Sequence, residues 1–362
     1  MGLPRINITF RAQAATINRR SGNGIVAAII VNAAGEGSSP SGLYELRSEA
    51  DMPVGLTAGN QAHIKRIFVG NVGRPAKVLL YVCPTAEFDA ALTKLATVQF
   101  DWLVAPSDRS PGDMTVFAEW IINQRANYDA TYKAVLPNSA SDHEAIVNFT
   151  SSGIVADGVT YNAADYCGRI AGMLAGTPLT HSCTYAVLPE VSDITRLTRD
   201  EMDAAVDAGQ LILVHDGVKV KLGRGVTTLT NLADDKCAEL KKIKIVEALD
   251  LIKSDLRVLI QDNYIGKLPN NYDSKCLLIV AVKSYLTELE AAGILWPGTS
   301  AVDLDMDAQR AYLAAQGADI SNMTDREIRE ANTGDKVFLA ANIRVMDAIE
   351  DIVLPITYTG GE

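Results

Sequence analysis

Four histidines, His63, His143, His181 and His215, are all the imidazole this 362-residue chain has. General acid–base catalysis and zinc ligation both lean on that group, so these positions bound the chemistry available. His143-Glu144 opens like a zinc-peptidase helix, but Val147 stands where the second histidine ligand is required. His181 and Ser182 are chain neighbours, whereas a nucleophile and its base meet in space and need an orienting acid. Asp303, Asp305 and Asp307 imitate the first ligands of a calcium loop, yet Ala308 replaces the turn glycine and Ala314 the bidentate glutamate. They read instead as a solvated strand face and a helix cap, with Asp307 the expected cap. Gly266-Lys267 runs into Leu268 with no glycine five residues upstream, so it is not a phosphate loop. Gly22, Gly24, Gly35 and Gly37 lack the strand–turn–helix setting of a dinucleotide site. No catalytic, cofactor-binding or metal-ligating set is expected. A large chain without one points to a structural role.

Composition narrows the class further. Apolar residues at 48% against 21% charged are enough to bury sizeable cores, which excludes a disordered or collagen-like chain. Lys and Arg number 33 against 44 Asp and Glu, and the resulting charge of −11 repels a phosphate backbone, so no nucleic-acid partner is expected. The longest apolar runs, Ile25–Val31 and Leu277–Val282, fall far short of the ~18 residues of a membrane span. The first twenty residues lack the apolar stretch of a secretory signal, and Ile6 occupies the position where a myristoylation signal has Ser or Thr. Cys83, Cys167, Cys183, Cys237 and Cys276 are odd in number and without metal-ligand spacing, which reads as small buried hydrophobes made in a reducing cytoplasm.

The elements follow from periodicity. Short apolar runs at Ile25–Val31, Val78–Cys83, Phe100–Ala105, Tyr132–Leu136, Cys183–Leu188 and Leu211–His215 read as strands. Between them Glu87–Thr97, Met114–Tyr128 and Ala163–Ala175 repeat apolar residues three and four apart, as helices do. Helices between strands demand parallel crossovers, hence a doubly wound α/β domain over 21–231. Thr198 and Glu201 form a capping box, Gly209 closes that helix, and Asp216-Gly217 marks a hairpin. Residues 232–345 read as a mixed α+β C-terminal domain. Its long helix puts Ile243, Val246, Leu249, Ile252, Leu256 and Leu259 on one face, a second spans Asp273 to Ala292, and a second capping box opens at Thr324. Val337–Val345 reads as its strand.

Both chain ends differ from this body. Ile6, Ile8 and Phe10 alternate with polar residues within 1–20, and Ile352, Leu354, Ile356 and Tyr358 alternate within 346–362. Each is a period-two strand with no hairpin turn to supply a neighbour, so each is either an edge strand of its own domain or an arm. Flexible joints are expected at Ala12–Thr16 and Met346–Asp351.

The segment CGRIAGMLAGTPLTHSCTYAVLPEV from Cys167 resembles a stretch of contractile phage tail sheath proteins, through Ala171, Gly172, Ala175, Gly176, Thr177, Ser182, Thr184 and Tyr185. GRGVTTLTN from Gly223 is similar to a turn of that family, with Thr227 where Asn is common. FRAQAATINRRSGNGIVAAIIV near the start, and Tyr264–Lys267 with Asn270-Asn271 further on, extend the resemblance over nearly the whole chain.

That resemblance implies a subtilisin-like α/β domain without protease activity, a C-terminal domain and extended chain ends. It implies other copies of the chain as partners, in six-fold rings stacked helically around an inner tail tube and joined to baseplate and tail-end proteins. It implies assembly in the bacterial cytoplasm, a place in a virion tail or phage-tail-like bacteriocin, and contraction that drives the tube through a bacterial envelope. The arm residues Ile6, Ile8, Phe10, Ile352, Leu354, Ile356 and Tyr358 would then join subunits. Two alternatives stand beside this reading. One is another self-assembling tail component. The other is a subtilisin-like hydrolase, which lacks support because no His-Gly-Thr or Gly-Thr-Ser-Met stretch exists and Pro178 follows Ala175-Gly176-Thr177.

Overall fold

Ile25–Val31 forms β1, and its residues from Val26 to Ile30 are no more than 2% exposed. Such a continuous apolar run is what a strand needs when both sheet faces are covered. In the computed structural model, which describes residues 24–33, 40–108, 111–232 and 236–358, β1 is followed by β2 (Gly42–Leu46), α1 (Ala58–Val69), β3 (Lys77–Cys83), α2 (Asp89–Leu95) and β4 (Trp102–Val104). Next come α3 (Pro111–Tyr128), β5 (Lys133–Pro137), β6 (Ile146–Phe149), β7 (Ile154–Ala156), β8 (Val159–Tyr161) and α4 (Ala163–Ala175). Then β9 (Val191–Asp193), α5 (Arg199–Asp207), β10 (Gln210–Leu211), β11 (Leu213–His215) and β12 (Val220–Leu222) lead to α6 (Ile243–Asn263). Tyr272–Ala291 (α7), Ala301–Leu304 (β13), Met306–Ala315 (α8), Asp325–Glu330 (α9) and Leu339–Asn342 (β14) complete the order. The chain divides into two compact units, one running to Leu251 and resuming at Met346, the other being Ile252–Val345.

The first unit is built on a seven-stranded sheet ordered β10-β6-β5-β4-β1-β3-β2. Its ladders are parallel except for the edge strand β2, which runs antiparallel to β3. Alternate residues of β1 serve opposite layers, as the two-residue period of a strand requires. Val26, Ala28 and Ile30 pack with Ile64 and Ile67 of α1 and Ile170 and Leu174 of α4. Ala27 and Ile29 pack with Leu92 and Leu95 of α2 and Phe117 and Ile121 of α3. Helices on both faces of a mainly parallel sheet make this the doubly wound α/β architecture expected from the sequence.

On the first face α4 presses unusually close to α1. A Cβ on Gly172 would overlap the carbonyl oxygen of Ile67, and one on Gly168 would come within 2.9 Å of the His63 ring. Only a hydrogen at these positions lets the helix axes approach so far. Arg169 crosses the same seam, donating at 2.6 Å to the Gly70 carbonyl and at 2.6 Å to Glu190.

The first turns of α6 dock on this unit through charge. Asp250 accepts a bidentate pair of bonds from Arg125 of α3 at 2.9 Å each, and one from Lys133 of β5 at 3.2 Å. The Trp102 indole N–H donates to Glu247 at 2.9 Å. Desolvation pushes the Glu247 carboxyl up to about 7, against the pull of Lys133 and the Trp102 bond.

In the second unit, α6 continues from Ile252 and α7 supplies Leu278, Val282, Leu286 and Leu289 to the core. Tyr285 donates to Asp255 at 2.9 Å, and β13 pairs antiparallel with β14. Long helices beside a two-stranded sheet match the mixed class expected. Two local expectations fail. Asp305, not Asp307, caps α8, its carboxylate accepting from the Ala308 N–H at 2.8 Å. Cys183–Leu188 is not a named strand: Tyr185 adopts φ +59°, which breaks the extended run, and Val187 makes only an isolated bridge to Lys221.

Replacing Gly172 with Ala forces its methyl into the Ile67 backbone, and overpacking of that kind costs about 1–3 kcal/mol or more. Denaturant unfolding of Gly172→Ala checks this; a midpoint equal to wild type contradicts it. Glu247 gives a pH signature. Its folded-state proton is held tighter than in the unfolded chain, so stability falls as pH rises from 4.5 towards 7. Glu247→Gln keeps an acceptor for Trp102 and removes that penalty, so it should gain about 2 kcal/mol at pH 8.5 and nothing near pH 4.5. Paired melting curves across that range read the difference.

Candidate functional site

The described positions singled out for chemistry sit in structural contacts, while Gly22, Gly35 and Gly37 lie outside the described residues. His63 is buried in α1, and burial, then the Arg66 charge, lowers it to about 4. His143 and Glu144 lie just before β6 rather than on a helix, and Val147 is inside that strand. The His181 ring meets Thr180 at 3.0 Å, while His215 accepts the Gly217 N–H within the β11–β12 turn at 2.9 Å. Asp303 is held bidentately by Arg329 at 2.8 Å, Asp305 caps α8, and Asp307 is exposed. Among the described residues no three His, Cys, Asp or Glu side chains are placed to hold a metal ion, and no helix is long and apolar enough to cross a membrane. The five cysteines are unbridged, and burial pushes the Cys83 thiol up to about 11.

The structure gathers its polar contacts instead at the base of the C-terminal tail. Ser182 Oγ and Thr184 Oγ1 lie 2.9 and 2.6 Å from the same oxygen of Glu350. The Gly225 N–H donates to Thr184 Oγ1 at 3.0 Å, tying the 182–185 turn to the turn after β12. Arg224 reaches both carboxylate oxygens of Asp351 at 2.6 Å, and Lys244 donates to the Met346 carbonyl at 2.7 Å. Lys242 is paired with Asp347 and lies 3.4 Å from Glu350 Oε2. Burial alone would lower the Lys242 ammonium, but the Asp347 bond and the Glu350 charge outweigh it and raise it. The Glu350 side chain is only 7% exposed. Met346–Asp351 is therefore pinned to the first unit, where the sequence suggested a flexible joint.

Beyond Asp351 the character reverses. Ile352, Leu354, Ile356 and Tyr358 are 73–87% exposed, and Val353 is 94% exposed. Nothing among the described residues pairs with 352–358, and without such a neighbour the stretch forms no strand; a ladder needs a second backbone. Ile6, Ile8 and Phe10 lie outside the described residues. Sequence reasoning found the tail but missed its anchors. The signals were present as Ser182 and Thr184 in the family-like segment, and as Asp347, Glu350 and Asp351 clustered just before the apolar alternation.

The phage tail sheath protein central domain matches residues 84–228, and the phage tail sheath C-terminal domain matches residues 235–359. A tail sheath protein of Clostridium phage phiCD119 is 38% identical over 358 residues, covering 97% of this chain and 98% of that protein. The crystal structure of a sheath tail protein from Desulfitobacterium hafniense superposes with a TM-score of 0.69 at 16% identity, covering 83% of this chain and 93% of the other. The helical sheath of the anti-feeding prophage in its contracted state gives 0.67 at 16% identity, with 99% of both chains covered.

Thr184 joins three parts of the anchor, so Thr184→Val leaves the Gly225 N–H and Glu350 each short of a partner. The expected cost is about 1–3 kcal/mol by chemical denaturation. An unchanged midpoint would show the turn carries no load.

Proposed function

We propose a mechanical, non-enzymatic role for this chain, which belongs to the phage tail sheath protein family. Copies polymerise as six-fold rings stacked helically around an inner tube, meet baseplate and tail-end proteins, and shorten the sleeve to drive the tube through a bacterial envelope. No nucleotide is required if the free energy is stored at assembly, as two packings of one chain separated by a barrier. The observation that carries the reading is the tail Ile352–Tyr358, apolar, exposed and without a strand partner among the described residues. Left bare, such a segment invites aggregation; paired with a second copy, it becomes the joint of a lattice.

The residues suit that use. Pro355 lacks an N–H, so one ladder bond is absent there, which fits an added strand better than the centre of a permanent sheet. Five backbone bonds at ~0.5–1.5 kcal/mol each amount to roughly 3–7 kcal/mol per arm before ordering costs. Repeated through a lattice, with the N-terminal Ile6, Ile8 and Phe10 serving as a second arm, this modest energy acts multivalently. The two-stranded β13–β14 sheet offers an acceptor, since a sheet of two strands is marginal alone and gains from a third. A non-enzymatic role is supported by the histidines, each held in a structural contact or buried without a reactive neighbour.

Deleting 352–362 removes only exposed chain among the described residues, so the protein should stay folded with near-native melting. Negative-stain microscopy should then show hollow cylinders from the full chain with its tube protein and none from the deletion. Cylinders from the deletion would overturn the arm; failure of the deletion to fold would place the tail in its own domain.

A further inference from the structure

We propose that Met346–Asp351 is an ionic clasp that fixes the direction in which the C-terminal arm leaves the first unit and passes the arm's pull into that unit. This rests on the arm reading above. Chain order alone would assign the arm's load to Ile252–Val345, because Leu295 bridges to Val345 and the Trp296 N–H donates to the Arg344 carbonyl immediately before it. One residue later the contacts change hands. Lys244 takes the Met346 carbonyl, Lys242 takes Asp347, Ser182 and Thr184 take Glu350, and Arg224 takes Asp351.

These holders come from three separate places in the chain: the turn after α4, the turn after β12 and the start of α6. A tail that needed only tethering would be served by one of them. Anchors drawn from three separate segments restrain orientation as well as position, and Glu350, which lies within reach of all three, is the most enclosed of Asp347, Glu350 and Asp351. The anchors are themselves cross-braced, since Gly225 bonds Thr184 and the Ile243 N–H donates to the Gly225 carbonyl. Tension applied at Ile352 therefore divides among the sheet side of the unit and α6. The bonds are charge-assisted and directional, so they hold a defined exit angle, unlike apolar contacts of the same extent.

The test is the full-length variant Asp347→Asn, Glu350→Gln, Asp351→Asn, which preserves shape and removes charge. In the unassembled protein, backbone amide relaxation by NMR should show residues 347–351 as rigid as the body in wild type and as mobile as 356–358 in the variant. Mixed with tube protein, the variant should form regular cylinders at least about tenfold less often, the ratio expected when one or two charge-assisted bonds are lost. Melting should drop by a few degrees yet remain one cooperative transition, separating loss of the clasp from loss of fold. Equal mobility of 347–351 in both proteins, or regular cylinders at wild-type yield from the variant, would overturn the clasp while leaving the arm intact. Cylinders from the 352–362 deletion would overturn the arm, and the clasp's role with it.

Discussion

The Ile67 carbonyl oxygen occupies the space that any side chain at position 172 would need, and much of the first unit is arranged around that contact. Because α4 can lie against α1 without a Cβ between them, Arg169 reaches across to the Gly70 carbonyl and to Glu190. Asn71 bonds Thr177 just past the end of α4, and the Gly73 N–H donates to the Gly176 carbonyl. The chain is thereby delivered to the 182–185 turn in a set position. That turn carries Ser182 and Thr184 to the tail. A hydrogen atom in place of a methyl is thus linked, through one helix and one turn, to where the last residues of the protein leave its body.

Legibility in the sequence tracked how local the determining interaction was. β1 and α4 were readable to the residue, the first from a continuous apolar run, the second from three-and-four spacing; the Asn162 cap of α4 came only with the structure. α1 was not, because AGNQAHIKRIFV has polar residues on both flanks and buries a histidine instead of an aliphatic side chain. β6 is four residues long, too short to show a period. Asp305 and Asp307 sit two residues apart and both satisfy a cap's chemistry; the backbone turn, which the sequence does not display, selects Asp305. The tail's anchors were the least visible. Glu350 is separated from Ser182 by 168 positions, and nothing local in either segment announces the other.

Charge in this protein is used mainly to place chain segments. Asp250 with Arg125 and Lys133 seats α6, Asp142 collects Thr230 and Asn231 to hold the strand-end loops together, and Arg329 steadies Asp303 beside α9. The acidic excess of the sequence is consistent with this, since many of its carboxylates are committed to backbone N–H groups or to a single cation. Groups so committed have fixed neighbours, and their charge is spent on holding the chain in place.

The first unit is interrupted in sequence: its chain leaves at Leu251 and returns at Met346. The bonds that Ser182 and Thr184 make to Glu350 therefore cannot form until residues 252–345 have been made and looped out between the two parts of the unit. Contacts between positions so far apart carry a loop-closure cost that local contacts do not, so the sheet and its helices can form before this last closure.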